Sequence, residues 1–292
     1  MKTAAVGRLP PGQTRTVPEG DTVWLAGRRL HGALAGRTLT RSDFRVPQLA
    51  TADLSGRTVT EVVSRGKHLL TRVDDDLTLH THFRMDGSWH LYRPGERWKG
   101  GPATQVRVVL ENVEWQAVGY RLPVVELLPR AQEQTVVGHL GPDLLGADWD
   151  LDEAVRRLAS RPERAVGDAL LDQRNLAGIG NLYKMEVLFL QGVNPWTPVG
   201  AVPDLPRLVE RARLLLERNR DHPWQVTTGD GRRGQEHWVY GRSGRPCRRC
   251  GTEIRKADQG DPAYERDTYW CPRCQPALED SGQDSTARPH PR

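Results

Sequence analysis

The chain has 292 residues, a formal net charge of +5 and a sequence pI of about 9.2, a length typical of two domains and a charge compatible with an anionic partner. No apolar run approaches the roughly 18 residues that a membrane-spanning helix needs. Residues 1–17 lack the apolar segment of a secretory signal. We therefore expect a protein that is neither secreted nor inserted in a membrane.

A helix is predicted to begin near residue 21, after a Pro/Gly/Thr-rich extension over residues 1–17 that shows no periodic pattern. Asp21 or Thr22 can cap this helix. Pro18 and Glu19 lie just before it. Inside a longer chain Pro18 has no free amine. As the first residue it would be a secondary amine beside a carboxylate, which is a nucleophile with an acid/base partner.

Residues 37–130 change to a pattern of short strands rich in Val, Leu and Thr, separated by turn signals such as Asp74-Asp75-Asp76. Strands of this kind predict an antiparallel sandwich or barrel, two folds that the pattern leaves open. They are predicted at Thr38–Val46, Thr58–Val63, His68–Val73, Leu77–His82, Ser88–Tyr92, Gln105–Leu110, Glu114–Val118 and Pro123–Leu128.

The chain becomes helical after about residue 131, with Gly, Pro or Asn between the periodic segments. A Gly-Ile-Gly-Asn turn over residues 178–181 leads directly into one of these helices. Such a turn is either a simple helix–helix connection or a close approach of backbone N–H groups to a phosphodiester, and the basic chain favours the second. Helices are predicted at Leu151–Ala159, Arg164–Asp172, Asn181–Gln191 and Leu205–Arg218.

Four cysteines form two C-x2-C pairs separated by 20 residues, a spacing typical of a structural zinc site. The ligands are Cys247, Cys250, Cys271 and Cys274. Clustering of this kind is typical of a reducing cytoplasm rather than of disulfides. A redox-active pair lacks the expected βαβ context. Arg266 lies in the hairpin predicted between the pairs, where it is either a solvated charge or a phosphate ligand; composition alone does not decide between the two.

Lys67 and three histidines could be functional residues, but each also has a simple structural interpretation. Lys67 opens a predicted strand, as many exposed lysines do. His68, His80 and His82 alternate along predicted strands, but no metal-ligand spacing supports a site there, so we interpret them as residues of a sheet face.

Taken together, these motifs resemble the formamidopyrimidine-DNA glycosylase / endonuclease VIII family. The resemblance rests on Pro-Glu-Gly at 18–20, Arg-Gly-Lys-His-Leu-Leu at 65–70, the segment 170–181 and the four-cysteine hairpin, and it covers about residues 18–276. It implies an α+β multidomain protein with an N-terminal antiparallel β-sandwich and flanking helices, a helical helix–two-turn–helix domain, and a C-terminal zinc-finger β-hairpin.

The resemblance also implies roles for individual residues. Pro18 corresponds to the N-terminal nucleophile and Glu19 to its acid/base partner, while Lys67 corresponds to a lysine that contacts DNA phosphate and supports catalysis. Asn181 and Arg266 match phosphate-binding residues, of which Arg266 also supports catalysis. Met85 resembles the side chain that fills the gap left by an everted base; its simple alternative is an ordinary buried methionine.

The expected function is base-excision DNA repair by a bifunctional DNA glycosylase/AP lyase that removes oxidised bases through a Schiff base, followed by β,δ-elimination. We expect one structural Zn²⁺, damaged DNA as partner, and a monomer in the bacterial cytoplasm. The alternatives are a member that prefers 8-oxoguanine and formamidopyrimidines, or a non-catalytic zinc-finger DNA-binding protein in which Pro18 stays blocked. The expected parts are an extension absent from the mature protein (1–17), a catalytic β-sandwich domain (18–130), a helix–two-turn–helix domain (131–235), a zinc finger (236–276) and a disordered tail (277–292).

Three positions bear on the branch and on the start of the chain. The segment from Gly20 to Trp24 resembles the endonuclease VIII branch, which favours oxidised pyrimidines, although Thr22 stands where many of its members have Glu. Gly167 stands where formamidopyrimidine glycosylases commonly carry a lysine. Val17 precedes Pro18, and a bacterial GUG codon is read as Met at initiation, so we expect translation to start at position 17 with removal of the initiator Met.

Overall fold

The computed structural model describes residues 17–261 and 265–278. The predicted extension and the predicted tail therefore lie outside the described residues, apart from Val17 and residues 277–278. In the described part of the chain, no helix is long and apolar enough to cross a membrane. The α-helices are α1 (Gly20–Leu34), α2 (Glu133–Val137), α3 (Leu151–Ala159), α4 (Val166–Leu171), α5 (Asn181–Gln191) and α6 (Leu205–Asn219).

The strands form two antiparallel sheets and a separate hairpin. One sheet has the order β1-β3-β4-β5-β9, the other the order β2-β7-β8-β6, and β10 pairs with β11. The bounds are β1 (Arg37–Thr38), β2 (Arg41–Phe44), β3 (Thr58–Arg65), β4 (His68–Val73), β5 (Leu77–His82), β6 (Ser88–Tyr92), β7 (Val106–Glu111), β8 (Gln116–Tyr120), β9 (Val124–Pro129), β10 (Arg255–Gln259) and β11 (Arg266–Trp270).

The first predicted strand is in fact two strands in different sheets. β1 pairs with β3, whereas β2 pairs with β7, so the chain crosses from one sheet to the other at Leu39 and Thr40. The Leu39 side chain is buried in the core between the sheets. Because two separate sheets enclose one apolar core, the fold is the sandwich and not the barrel.

The first helix begins one residue earlier than predicted, and its N-cap is neither Asp21 nor Thr22. Glu19 is the N-cap, and its side chain makes no capping bond to its own helix. The Asp21 side chain is buried instead of lying at an exposed helix end. Both carboxylates are buried against the start of α5, so the start of α1 serves as a contact between elements and not as a simple cap.

Helix α5 connects the helical core with the segment that carries the cysteines. It packs against α4 and α6 in the helical core, and its buried Met185 and Phe189 also belong to a cluster with Cys247 and Cys271. Leu182 to Phe189 are buried without interruption, including the ionisable Lys184 and Glu186. A helix that is buried on all sides is a rigid base for whatever lies at its N-terminus.

Candidate active site and nucleic-acid interface

The carboxylate of Glu19 is held by the N-terminus of α5, although its two hydrogen-bond partners lie 161 and 163 residues away in sequence. Oε2 accepts a hydrogen bond from Gly180 N at 2.6 Å, and Oε1 accepts one from Leu182 N at 2.8 Å. Glu19 is fully buried. Free N–H groups at a helix N-terminus favour an anion, so this helix end fixes the position of the Glu19 carboxyl group.

The glycines of the two motifs allow this close approach. Gly20 N donates to Gly178 O at 2.8 Å, and a Cβ atom at Gly20 would lie 2.9 Å from Gly178 Cα. A Cβ atom at Gly180 would lie only 2.4 Å from Glu19 Cδ. Pro-Glu-Gly and Gly-Ile-Gly-Asn are therefore two halves of one contact, which explains why each carries glycine where it does.

Burial and charge tune the ionisation of this site. Burial raises the pKa of Glu19 to about 7, against the opposing attraction of Lys67 and the two backbone hydrogen bonds. Burial lowers the pKa of Lys67 to about 8, against the attraction of Glu19, and Arg266 lowers it further. A carboxyl group that titrates near neutral pH can both give and take a proton, as acid/base catalysis requires.

Lys67 is positioned by the turn between β3 and β4, which packs directly on the second domain. Gly66 has φ +56°, and its N–H donates to Asp143 Oδ2 at 2.7 Å. A Cβ atom at Gly66 would lie 3.0 Å from Ala177 Cβ. Only glycine combines this backbone conformation with such a narrow gap, so Gly66 places Lys67 at the junction of the domains.

The cysteine hairpin brings Arg266 to the same region. Asn181 Nδ2 donates to Asp267 O at 2.9 Å, which ties the start of α5 to β11. Arg266 is exposed at the end of β11 away from the cysteines, opposite Gln259. The charge of Arg266 acts on Lys67, so this end of β11 and the β3–β4 turn lie near one another. The oxygen of the Asn181 amide is buried and has no partner among the described residues.

Pro18 and Met85 line one cavity of about 370 Å³ between α1, β6 and the loop that precedes β6. Thr22 and Arg29 line it as well. Met85 is 68% exposed, so it is not an ordinary buried methionine. An exposed apolar side chain beside a cavity is free to enter a partner molecule.

The four cysteines form a cluster at the other end of the hairpin. Their Sγ atoms all lie within 4.8 Å of one another. Arg249 N and Cys274 N donate to Cys247 Sγ and Cys271 Sγ at 3.4 Å, the arrangement of a thiolate knuckle. Four sulfur donors at these separations fit a closed tetrahedral metal site that holds structure and has no open position for catalysis.

Several supporting residues carried no recognised signal in the sequence. Lys184 Nζ donates to Thr268 Oγ1 at 2.7 Å and to Gln259 Oε1 at 3.2 Å, which fixes the hairpin on α5. Glu186 accepts hydrogen bonds from the backbone N–H groups of residues 238–240 at 2.8–2.9 Å. The sequence signal that could have identified them is the presence of Lys184 and Glu186 in an otherwise apolar helix, because ionisable residues are rarely buried without a partner.

The histidines lie on one face of the five-stranded sheet, as predicted. His80 Nδ1 lies 2.9 Å from Glu126 Oε2, and His68 Nδ1 lies 2.9 Å from His80 Nε2. Burial lowers the pKa of His68 to about 3 and that of His82 to about 4. His82 accepts from Arg84 N on Nδ1, so the neutral ring carries its proton on Nε2 as a donor beside Lys67.

Comparison with known proteins agrees with this architecture. The family model of the formamidopyrimidine-DNA glycosylase N-terminal domain matches residues 17–122, and that of the H2TH domain of the same enzymes matches residues 140–205. The chain is 63% identical over 261 residues to a probable endonuclease 8 2 of Streptomyces coelicolor, a match of 89% of this chain and 94% of that protein.

Two more distant similarities cover the whole length of the matched protein. The DNA-(apurinic or apyrimidinic site) lyase Nei2 of Mycolicibacterium smegmatis is 48% identical, over 89% of this chain and 100% of its own. The solved structure of Lactococcus lactis Fpg in complex with DNA that contains an abasic site has a TM-score of 0.73 at 24% identity, over 89% of this chain and 100% of that one. The latter supports the fold.

Proposed function

Because the chain belongs to the formamidopyrimidine-DNA glycosylase family, we propose that it is a base-excision repair enzyme, a bifunctional DNA glycosylase and AP lyase that removes oxidised pyrimidines. One observation carries this proposal. The Glu19 carboxyl group is fixed by Gly180 and Leu182, next in sequence to Pro18 and within the field of Lys67. This arrangement supports a site in which Pro18 is the nucleophile, Glu19 the acid/base group and Lys67 a phosphate ligand.

The nucleophile requires Pro18 to be the first residue of the mature protein. The family model begins at residue 17, and Nei2 of M. smegmatis is matched over its whole length by 89% of this chain. We therefore propose that translation starts at position 17 and that the initiator Met is removed. Intact mass spectrometry of the native protein tests this, and a mature chain that begins at residue 1 or 2 would overturn it.

The Pro18 amine then attacks the sugar. An α-amine has a pKa of about 8, so a useful fraction is neutral at physiological pH. Its nitrogen forms a bond to C1′ while the C1′–base bond breaks and its electron pair leaves with the base. The attacking nitrogen passes its proton to the departing base anion, and the C1′–O4′ bond opens as protonated Glu19 gives a proton to O4′. The product is an iminium ion between Pro18 and the open sugar.

Strand cleavage follows from the charge of this iminium. The cation withdraws electrons from C2′, so that loss of a C2′ proton expels the 3′ phosphate in β-elimination. Loss of a C4′ proton from the conjugated product expels the 5′ phosphate in δ-elimination. Water then adds to the iminium carbon and releases the Pro18 amine. Glu19, ionised after the first proton transfer, can accept the C2′ proton, release it to water and then accept the C4′ proton.

In this proposal Lys67, Asn181 and Arg266 hold the DNA backbone, which the electrostatic interaction between Lys67 and Arg266 and the bond of Asn181 to Asp267 O support. Charged and amide donors bind phosphate oxygens without reading sequence, which suits an enzyme that must act anywhere in a genome. Neutral His82 adds one further donor there. Met85 enters the base stack after the damaged nucleotide leaves it, which offsets part of the lost stacking.

The four-cysteine cluster binds one zinc ion. Cysteine thiolates in a tetrahedral set are the preferred environment of structural zinc. The ion stabilises the base of the β10–β11 hairpin, while Arg266 lies at the opposite end. The metal thus contributes to catalysis only through the position of the hairpin.

The environment of Gly167 supports the pyrimidine preference. A Cβ atom at this position would lie 2.5 Å from Gln259 Oε1, and Gln259 is held in turn by Pro195 O and Lys184. A lysine of the kind expected in enzymes specific for 8-oxoguanine has no room here. Single-turnover kinetics on duplexes with oxidised pyrimidines or 8-oxoguanine test the preference, and faster excision of 8-oxoguanine would contradict it.

Borohydride trapping tests the enzyme itself. The mature protein should form a covalent adduct with DNA that contains an abasic site, and Pro18→Gly and Glu19→Gln should lose or strongly reduce it. A wild-type protein that binds this DNA but never traps would support a non-catalytic DNA-binding protein. We also propose that the enzyme is a monomer of the bacterial cytoplasm, which sedimentation with and without DNA and fractionation of native cells would test.

A further inference from the structure

The side-chain amide of Gln225 lies between Val17 and the first turn of α1. Its Nε2 donates to Val17 O and to Asp21 Oδ1, each at 3.1 Å. Its Oε1 is buried without a hydrogen-bond partner among the described residues, and the whole residue is 5% exposed. Buried polar atoms are paired in the large majority of cases, so this oxygen is an acceptor for which the described part of the chain provides no donor.

The surroundings hold this amide in place. The backbone oxygen of Gln225 lies 3.0 Å from His237 Nε2, and Val226 N donates to Asn219 Oδ1 at 2.7 Å. Asp21 accepts a second hydrogen bond, from Tyr183 OH at 2.7 Å, on its other oxygen. Because Asp21 still binds Nε2, the amide stays beside α1 when residue 17 is lost, and its unpartnered Oε1 can turn toward the space that the Val17 carbonyl group leaves.

Val17 is the neighbour that is lost when the chain begins at Pro18. Val17 O and Pro18 N are bonded to the same carbon, which places them less than about 2.6 Å apart. The Gln225 amide therefore forms a hydrogen bond to Val17 O, an atom that lies next to the Pro18 nitrogen. Loss of residue 17 removes the carbonyl oxygen that Nε2 contacts, and it creates an N–H donor on Pro18 in the same space.

We propose that Gln225 is the positioning residue for the Pro18 amine, an inference that rests on the proposed function. Asp21 binds the Nε2 end of the amide and thereby turns Oε1 toward the amine. Oε1 accepts the N–H of the neutral amine, and the lone pair is left to face C1′. The reverse orientation would direct an N–H donor at the lone pair and suppress the attack, so Asp21 sets the productive orientation.

The test compares Gln225→Met and Gln225→Glu in the mature protein that begins at Pro18. Met has a similar shape but no comparable acceptor, whereas Glu offers an anionic oxygen. The first readout is the pH dependence with which a dilute acylating reagent modifies the Pro18 amine, followed by intact mass. It reports the amine alone and needs no DNA. The second readout is borohydride trapping on DNA with an abasic site.

The two variants should shift the pH midpoint of Pro18 acylation in opposite directions. We expect the pH midpoint of acylation to fall by about one unit in Gln225→Met and to rise by about one unit in Gln225→Glu, since hydrogen bonds to the protonated amine favour that form. Glu19 and Lys67 are present in all proteins, whereas Asp21 loses the hydrogen bond from Nε2 in both variants alike, so that loss cannot explain opposite shifts. At high pH, trapping by Gln225→Met should still be about tenfold slower, because its neutral amine is not oriented.

The matched control is Asn112→Ala, which also removes a buried amide but lies far from the amine at the β7–β8 turn, where Nδ2 donates to Ala33 O at 3.0 Å. It should lower the unfolding temperature and leave the pH midpoint unchanged. Unshifted midpoints in both Gln225 variants would overturn the inference, even if trapping is slower. A wild-type protein that acylates normally but never traps would instead overturn the proposed function.

Discussion

Replacing Gly180 by alanine removes the space that the Glu19 carboxyl group occupies. The new Cβ would lie 2.4 Å from Glu19 Cδ and 2.6 Å from Oε1, so the carboxyl group must leave its position. Gly180 has φ −128° and ψ −164°, an extended conformation that alanine adopts without strain. The steric conflict with Glu19 is therefore the main change that this substitution makes.

The magnitude follows from the hydrogen bonds that are lost. Glu19 accepts two, from Gly180 N and Leu182 N, and one bond to an ionised group contributes about 1.5–3 kcal/mol. Misplacement that costs the equivalent of one such bond in the transition state slows the reaction on the order of 10- to 100-fold. We expect this loss in single-turnover cleavage of a duplex with an abasic site, while binding of that duplex changes little.

Gly32→Ala is the matched control, because Gly32 lies inside α1 and a Cβ atom there meets nothing within 4 Å. It should keep full activity and raise the unfolding free energy by about 0.5–1 kcal/mol, the usual gain for alanine in a helix. If Gly180→Ala cleaves at the rate of the control while both proteins stay folded, then the position of the Glu19 carboxyl group does not limit the reaction.

Three further predictions address pH, DNA and metal. Burial lowers the pKa of Lys184 to about 7 from 10.5, so between these two pH values the unfolded chain binds more protons than the folded one. The free energy of unfolding should therefore rise with pH in this range by up to about 1.4 kcal/mol per pH unit. Urea unfolding should find a smaller rise in Lys184→Met, and an equal rise with pH in the two proteins would contradict the argument. Met85→Ala should change the unfolding free energy by less than about 0.5 kcal/mol, because the side chain is exposed, yet slow base excision from duplex DNA several-fold and leave single-stranded abasic DNA unaffected. Unchanged excision kinetics on the duplex would remove Met85 from the mechanism. Removal of zinc by a strong chelator, or Cys271→Ser, should reduce the metal content from one ion per chain and weaken binding of abasic-site DNA at least about tenfold, since the hairpin that carries Arg266 loses its base. Full affinity of the metal-free protein in a binding titration would show that the hairpin holds its position without the ion.

The sequence alone determined the features that depend on short spacings. Alternating and helical periodicity predicted most strands and helices close to their observed bounds, and the exception, Thr38–Val46, has the composition of one strand but crosses between two sheets. The four cysteines were recognisable as a metal ligand set because a C-x2-C knuckle is a local structure. Resemblance to a family then gave roles to Pro18, Glu19, Lys67, Asn181 and Arg266, which remain predictions for the experiments above.

Only the tertiary structure decided what surrounds those residues. The partners of Glu19 lie at the N-terminus of α5, 161 and 163 residues further along the chain, and the amide of Gln225 reaches Asp21 and Val17 across an even longer separation. No periodicity records such contacts, because they depend on how separate elements pack and not on the order of neighbouring residues. The pKa values of Glu19 and Lys67 depend on the same packing, since burial is the largest cause of both shifts.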